Sequence, residues 1–163
     1  MTDAWVRPAE PQDLPRIWEL MQALAEYERM SEVVTGTPEQ LQRALFGERP
    51  VVECLVAESE DQLVGYAIFY PRYSSFRTRT LLWLEDLFVD PDSRGSGAGK
   101  ALVTSLARIA LARGCARIDW HVLDWNTPAI GFYEHLGAMH QEADWLQYGL
   151  DESRLQALAG EVN

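Results

Sequence analysis

Two adjoining stretches carry residues whose types and spacing could do chemistry. In Leu81-Leu-Trp-Leu-Glu-Asp-Leu-Phe-Val89, apolar and aromatic residues surround a lone acidic pair, Glu85 and Asp86. A carboxylate on an apolar strand is stripped of water, which raises its affinity for a proton and suits it to act as a general base near neutrality. Asp90-Pro-Asp92 then breaks the strand, and Arg94-Gly-Ser-Gly-Ala-Gly99 follows. From Lys100 to Arg113 apolar residues recur at helical spacing: Leu102, Val103, Leu106, Ile109 and Ala110. Glycines let backbone approach a ligand closely, and a helix start aims free N–H groups and a positive dipole end at it. Strand, glycine loop and helix together describe a phosphate site, and Arg94 adds a charged fork.

Three nucleotide-site patterns can be tried on this loop. A P-loop needs glycine at 94 and Ser or Thr at 101, where Arg94 and Ala101 stand. A dinucleotide fingerprint from Gly95 and Gly97 needs glycine at 100, which is Lys100. The third pattern is Arg or Gln, two free positions, Gly, one free position, then Gly or Ala, after an apolar strand. It fits from Arg94 to Gly99 throughout. In this the stretch resembles the coenzyme A pyrophosphate loop of the GNAT N-acetyltransferases.

The bulk numbers bound the rest. A chain of 163 residues is expected to form one domain, 1–163, with a core that needs neither disulfides nor metal. No apolar run approaches the ~20 residues of a membrane span, and the start lacks a basic-then-apolar signal, so a cytoplasmic protein without membrane contact is expected. Cys54 and Cys115 sit far apart in apolar settings and read as reduced core thiols; with three histidines, no metal-ligand cluster is expected. The net charge of −11, from 25 acids against 14 bases, makes nucleic acid an unfit partner and a cationic substrate a fitting one.

In order, the pattern gives a strand at 4–8, an amphipathic helix at 13–28, a second helix from Thr37 to near Gly47, and a hairpin of strands at 51–58 and 63–70. A polar connection at 72–80 leads to the acidic strand, the glycine loop and the long helix. A strand at 116–123 then completes a parallel crossover. A helix at 128–136, two closing strands at 139–141 and 145–150, and a terminal helix at 151–158 end the chain. This α/β (α+β) order, β-α-α-β-β-β-α-β-α-β-β around a mixed central sheet, matches the GNAT fold. Within that superfamily the chain is most similar to the diamine acetyltransferases, the spermidine/spermine N1-acetyltransferase group. The stretches that carry the likeness are Ile17 to Met30, ending Ala-Glu-Tyr-Glu-Arg-Met, then 81–89, 94–99, Trp125-Asn-Thr-Pro128 and Phe132-Tyr-Glu-His-Leu-Gly-Ala138.

The resemblance implies acetyl transfer from acetyl-CoA, without metal, to a primary amine of a small cationic acceptor: a diamine, a polyamine or a lysine-like amine such as thialysine. It makes Glu85 the base and Tyr133 the acid that protonates the leaving thiolate. Coenzyme binding falls to Leu87, Phe88, Val89, Arg94, Gly95, Ser96, Gly97, Ala98, Gly99, Lys100, Asn126, Pro128 and Tyr133, with the backbone amides of Leu87 and Val89 freed by a splayed strand pair. Asn126 also reads as a plain helix cap. The acceptor pocket would use Tyr27, Glu28, Glu85, Asp86, Asp144 and Trp145. Ser74 stands where the polyamine enzymes carry an acid, which points to a shorter amine. A homodimer is expected.

Overall fold

The computed structural model describes residues 4–141 and 146–160. The chain divides into two compact units, Met1–Trp125 and Asn126–Asn163. The first contains a five-stranded sheet in the order β1-β2-β3-β4-β5, built from Trp5–Pro8, Glu53–Ser59, Gln62–Ser74, Arg79–Val89 and Ile118–Asp119. β1 to β4 are antiparallel neighbours, and β4 pairs with β5 in parallel, Leu82 opposite Ile118. The sheet is mixed and of the α/β class.

Both faces of this sheet are covered, so its central strands are apolar on both sides. Helix α3 (Ala98–Ala112) lays Leu102, Leu106 and Ala110 over Leu55, Ala67, Phe69, Leu82 and Leu84. On the other face α1 (Leu14–Tyr27) and α2 (Pro38–Phe46) bring Ile17, Leu20 and Leu45 against Val56, Tyr66, Ile68 and Phe88. Helix α2 starts as its sequence implies: the Thr37 hydroxyl accepts from the Gln40 N–H and the Gln40 side chain returns the bond. The β2–β3 turn is tight because Glu60 and Asp61 both take positive φ, 52° and 59°, which matches the twist of the flanking strands. Arg7 on β1 forks onto Asp13 with bonds of 2.6 and 2.9 Å and holds that buried carboxyl below the usual carboxylate range, tying the sheet edge to the start of α1.

Gly65 on β3 stands opposite Val89 on β4. A Cβ there would lie 2.9 Å from the Phe88 carbonyl oxygen and 3.1 Å from Val89 Cγ2. Gly65→Ala is therefore expected to cost about 1–3 kcal/mol as overpacking. At roughly 2–4 °C per kcal/mol for a chain of this size, a thermal melt should fall by several degrees.

Three elements differ from the sequence reading. The polar connection at 72–80 is mostly strand, because β3 runs to Ser74 and β4 begins at Arg79. The strand expected at 116–123 contracts to Ile118–Asp119. The two closing strands are not formed among the described residues: 139–141 and 146–150 carry no strand, and Met139, Leu146, Tyr148 and Leu150 are exposed. Alternating apolar residues make a strand only where a neighbour pairs the backbone and covers one face. The second unit instead holds α4 (Thr127–His135), stopped by Gly137 at φ 88°, and α5 (Glu152–Gly160).

Candidate active site

The acidic pair sits at a fault in the sheet. Leu84 lies opposite Phe69 and Asp86 opposite Ile68, so Glu85 is an extra residue without a partner on β3. Such a bulge shifts the side-chain alternation by one. Before it, Leu82 and Leu84 pack toward α3; after it, Asp86 and Phe88 fall on the α1/α2 face, and Leu87 joins the α3 side. Glu85 shares the Asp86 face, as its bond from Tyr70 shows, since Tyr70 follows Tyr66 and Ile68 in alternation along β3. Two adjacent carboxylates thus point the same way, which a regular strand forbids.

Their surroundings differ. Glu85 is exposed; its Oε2 accepts from the Trp83 indole N–H at 2.8 Å and the Tyr70 hydroxyl at 3.3 Å. Asp86 Oδ2 accepts from the Tyr66 hydroxyl at 3.2 Å, and Tyr66 is fully buried. Burial, then the charge of Glu85, push the Asp86 carboxyl up to about 6, with Glu28 adding to the rise and the Tyr66 bond opposing it. Burial also raises Glu28, and burial followed by the Asp86 charge holds the Tyr66 phenol well above its ordinary value. The desolvation expected at Glu85 is found at Asp86, whereas Glu85 is exposed.

The same bulge sets the backbone edge. Leu82 N–H donates toward β5, to Arg117, whereas Asp90 N–H donates to Val64 on β3. Counting back from Asp90 by twos, Phe88 and Asp86 face β3, and the N–H groups of Val89 and Leu87 face the β5 edge. Pairing with β5 ends at Trp83–Asp119. The amides of Leu87 and Val89 therefore stand on an edge that β5 does not cover. Phe88 is not a lining side chain: it is buried, and its ring lies 5.9 Å from the Arg94 guanidinium.

Past β4, Asp90 receives Arg16 at 2.7 Å and caps the short turn Pro91–Ser93. Gly95 and Gly97 both take φ 84°, which only glycine adopts freely, and a Cβ at either would meet no protein atom within 4 Å. Gly97 is the N-cap of α3 and brings no capping side chain of its own; the Ser96 hydroxyl accepts from the first helical amide, Ala98 N–H, at 3.4 Å. Ala98 is buried, Gly99 partly so, and Lys100 and Arg94 are exposed. Open space, a helix start whose N-cap has no side chain, the dipole and two cations make a cradle for an anion.

Tyr27 and Glu28 close α1. The Tyr27 ring lies under the Arg94 guanidinium at 5.2 Å and beside Trp125 at 6.0 Å, and Arg29 covers Trp125 at 5.5 Å. Tyr27, expected as a wall for an acceptor cation, thus already carries an arginine of the chain. Trp125, Tyr66, Tyr70 and Trp83 were missed as site residues. Trp125 and Trp83 stood inside the quoted motifs; Tyr66 and Tyr70 gave no signal without the register. Ser74 lies six residues beyond Ile68 on β3, about 20 Å from the Asp86 rung, so its missing acid cannot decide what binds at Asp86. Asp144 and Trp145 lie outside the described residues. In the second unit, buried Asn126 caps α4 by accepting from Ala129 N–H at 3.3 Å, Pro128 sits in its first turn, and half-buried Tyr133 meets Phe132 edge-on at 5.2 Å.

The sequence profile of the Acetyltransferase (GNAT) family matches residues 17–138. The chain belongs to the GNAT acetyltransferase family. Over 170 residues this acetyltransferase is 36% identical to a thialysine N-epsilon-acetyltransferase of Bos taurus, covering 98% of the chain and 99% of the relative. It is 33% identical to a human spermidine/spermine N(1)-acetyltransferase-like protein 1, across 96% of the chain but 24% of that longer protein. An integron cassette protein from V. cholerae shares the fold, with a TM-score of 0.76 at 23% identity over 98% of this chain and 99% of that one. The acetyltransferase is an acetyl-CoA-dependent enzyme, as its family is. The cradle at Arg94 to Lys100 fits the coenzyme's phosphates, because the space beside Gly95 and Gly97 is open and the N-cap Gly97 brings no side chain to the helix start.

Proposed function

We propose that this enzyme acetylates a primary amine of a small cationic acceptor, of the lysine-like or short diamine class. The observation that carries this reading is the bulge that gathers Glu85 and Asp86 on one face, within electrostatic reach of Glu28 at the end of α1. Three carboxylates attract an ammonium ion, and a net charge of −11 favours cations over the whole surface. The relative that names thialysine, a lysine-like amino acid, spans nearly the full chain and supports the same class.

Bound acetyl-CoA supplies the acetyl group as an activated thioester. The chain's own residues do the rest: Arg94 and the open backbone of the loop from Gly95 to Lys100 hold phosphate, with Asn126 and Pro128 as further contacts. The amides of Leu87 and Val89 receive carbonyl oxygens. The acidic pair on β4 takes the ammonium proton, and Tyr133 gives a proton to the departing sulfur. The profile match from 17 to 138 runs across the division at Trp125, which supports one domain of 1–163. Free, buried Cys54 and Cys115 suit a reducing cytoplasm, where burial pushes the Cys54 thiol up to about 12. Exposed Leu146, Tyr148 and Leu150 support a homodimer that covers them; light scattering is expected to give twice the chain mass.

An amine panel tests the reading. With acetyl-CoA and thiol release as readout, thialysine, lysine, ornithine and short diamines are expected to turn over, and protein amino groups are not. Release with none of the small amines would overturn it.

A further inference from the structure

We propose that Arg16 is a positioning residue for coenzyme binding: by gripping Asp90 it sets the direction in which the phosphate loop leaves the sheet. This role rests on the reading of Arg94 to Lys100 as the phosphate site and names what holds that site in place. All three nitrogens of the Arg16 guanidinium have partners. Nε donates to the Leu63 carbonyl oxygen at 3.1 Å, Nη2 to Asp90 Oδ2 at 2.7 Å and Nη1 to Glu19 Oε2 at 3.0 Å. The fork thus runs from α1 to the start of β3 and to the first residue past β4, while Glu19, one helical turn on, steadies it. A planar guanidinium can make three divergent bonds of this kind at once. With two carboxylates on it, the Arg16 charge is neutralised within the chain.

Asp90 is the residue from which the loop departs. Its N–H donates to the Val64 carbonyl oxygen on β3 at 2.8 Å. Beyond it, backbone bonds carry the chain toward Gly97 in short steps: Ser93 N–H to the Asp90 oxygen at 2.9 Å, Arg94 N–H to Pro91 at 3.3 Å and Ser96 N–H to Ser93 at 3.3 Å. The Asp90 carboxylate divides between the two sides of this junction. Oδ1 accepts from Asp92 N–H at 3.2 Å inside the turn, and Oδ2 takes Arg16 from α1. A rotation of Asp90 would therefore carry Arg94, Gly95 and Gly97 with it. A cradle of this kind works only while its backbone is held to within a fraction of an ångström, and the hold here comes from a helix that is remote in sequence.

The sign of one variant separates positioning from charge. Asp90 is an acid four residues before Arg94, so if charge alone mattered, removing it would strengthen the binding of an anion. Asp90→Asn keeps Oδ1 for the Asp92 N–H and removes the charge that Arg16 grips. As a positioning pair, Asp90→Asn and Arg16→Gln are each expected to weaken acetyl-CoA binding about fivefold, as befits a partly exposed ion pair. The double variant should bind no more weakly than either single one, because both remove the same contact. Titration calorimetry on the full chain reads these affinities without turnover. Acetylpantetheine, which lacks the phosphates, supplies the arm that a merely structural role would not split: wild type and variants should bind it alike. A wild type that binds acetyl-CoA no more tightly than acetylpantetheine overturns the phosphate assignment and this proposal together. Where wild type does prefer acetyl-CoA, the proposal alone is overturned by unchanged or tighter acetyl-CoA binding in Asp90→Asn, by losses that add in the double variant, or by equal losses with acetylpantetheine.

Discussion

Gly97→Val is expected to weaken acetyl-CoA binding by about a hundredfold, the loss of one or two N–H bonds to a charged phosphate at roughly 1.5–3 kcal/mol each. Gly97 occupies the left-handed region at φ 84°, where a β-branched residue is a steric outlier, so valine forces the loop to move. It is also the N-cap of α3 and brings no side chain to the helix start. A second variant separates backbone strain from obstruction of the ligand. Asparagine tolerates the left-handed region, and no protein atom lies within 4 Å of a Cβ at this position, so Gly97→Asn should fold with the loop unmoved. If it too binds coenzyme weakly, the lost space is the space the ligand uses. Arg94→Ala, which deletes an exposed cation, is expected to cost about tenfold by the same reckoning. Titration calorimetry with acetyl-CoA measures all three; unchanged affinity in the valine and alanine variants would remove the phosphate assignment.

The loop was legible in the sequence because its requirements are local: glycine where φ is positive, an anchored turn before it, and helical spacing after it. The same holds for the Thr37–Gln40 capping box. The β4 bulge was not legible. Leu84, Leu87 and Phe88 are all apolar, and nothing in their types says which of them face α3. Read as a regular strand, Leu81 to Val89 sends Glu85 and Asp86 to opposite faces and places the free amides at even-numbered residues. One extra residue reverses both conclusions. The desolvation argument failed for a related reason, since it assigned to a strand a property that belongs to a side chain. The closing strands failed because apolar alternation is necessary for a strand but a neighbour decides it, and 146–150 is exposed.

Tyr133→Phe is expected to lower kcat about a hundredfold and leave the affinity for acetyl-CoA intact, the effect of losing one proton-transfer group. Phenylalanine keeps the ring and its 5.2 Å edge contact with Phe132, and α4 keeps its Asn126 cap and its stop at Gly137. The deleted atom is the only group on that side chain that can give a proton to sulfur. A phenol, ordinarily near pKa 10, donates to a thiolate whose conjugate acid is ordinarily near 8.5 only slightly uphill, and a thiol product then pulls the step forward. Because the lost interaction is made as sulfur departs, kcat and kcat/KM should fall together. A better leaving group isolates the cause: an acetyl thioester of a more acidic thiol needs less protonation, so the variant should recover most of its rate with it while wild type gains little. Full activity of Tyr133→Phe on acetyl-CoA, with the protein folded by circular dichroism, would give the proton to water or to another residue.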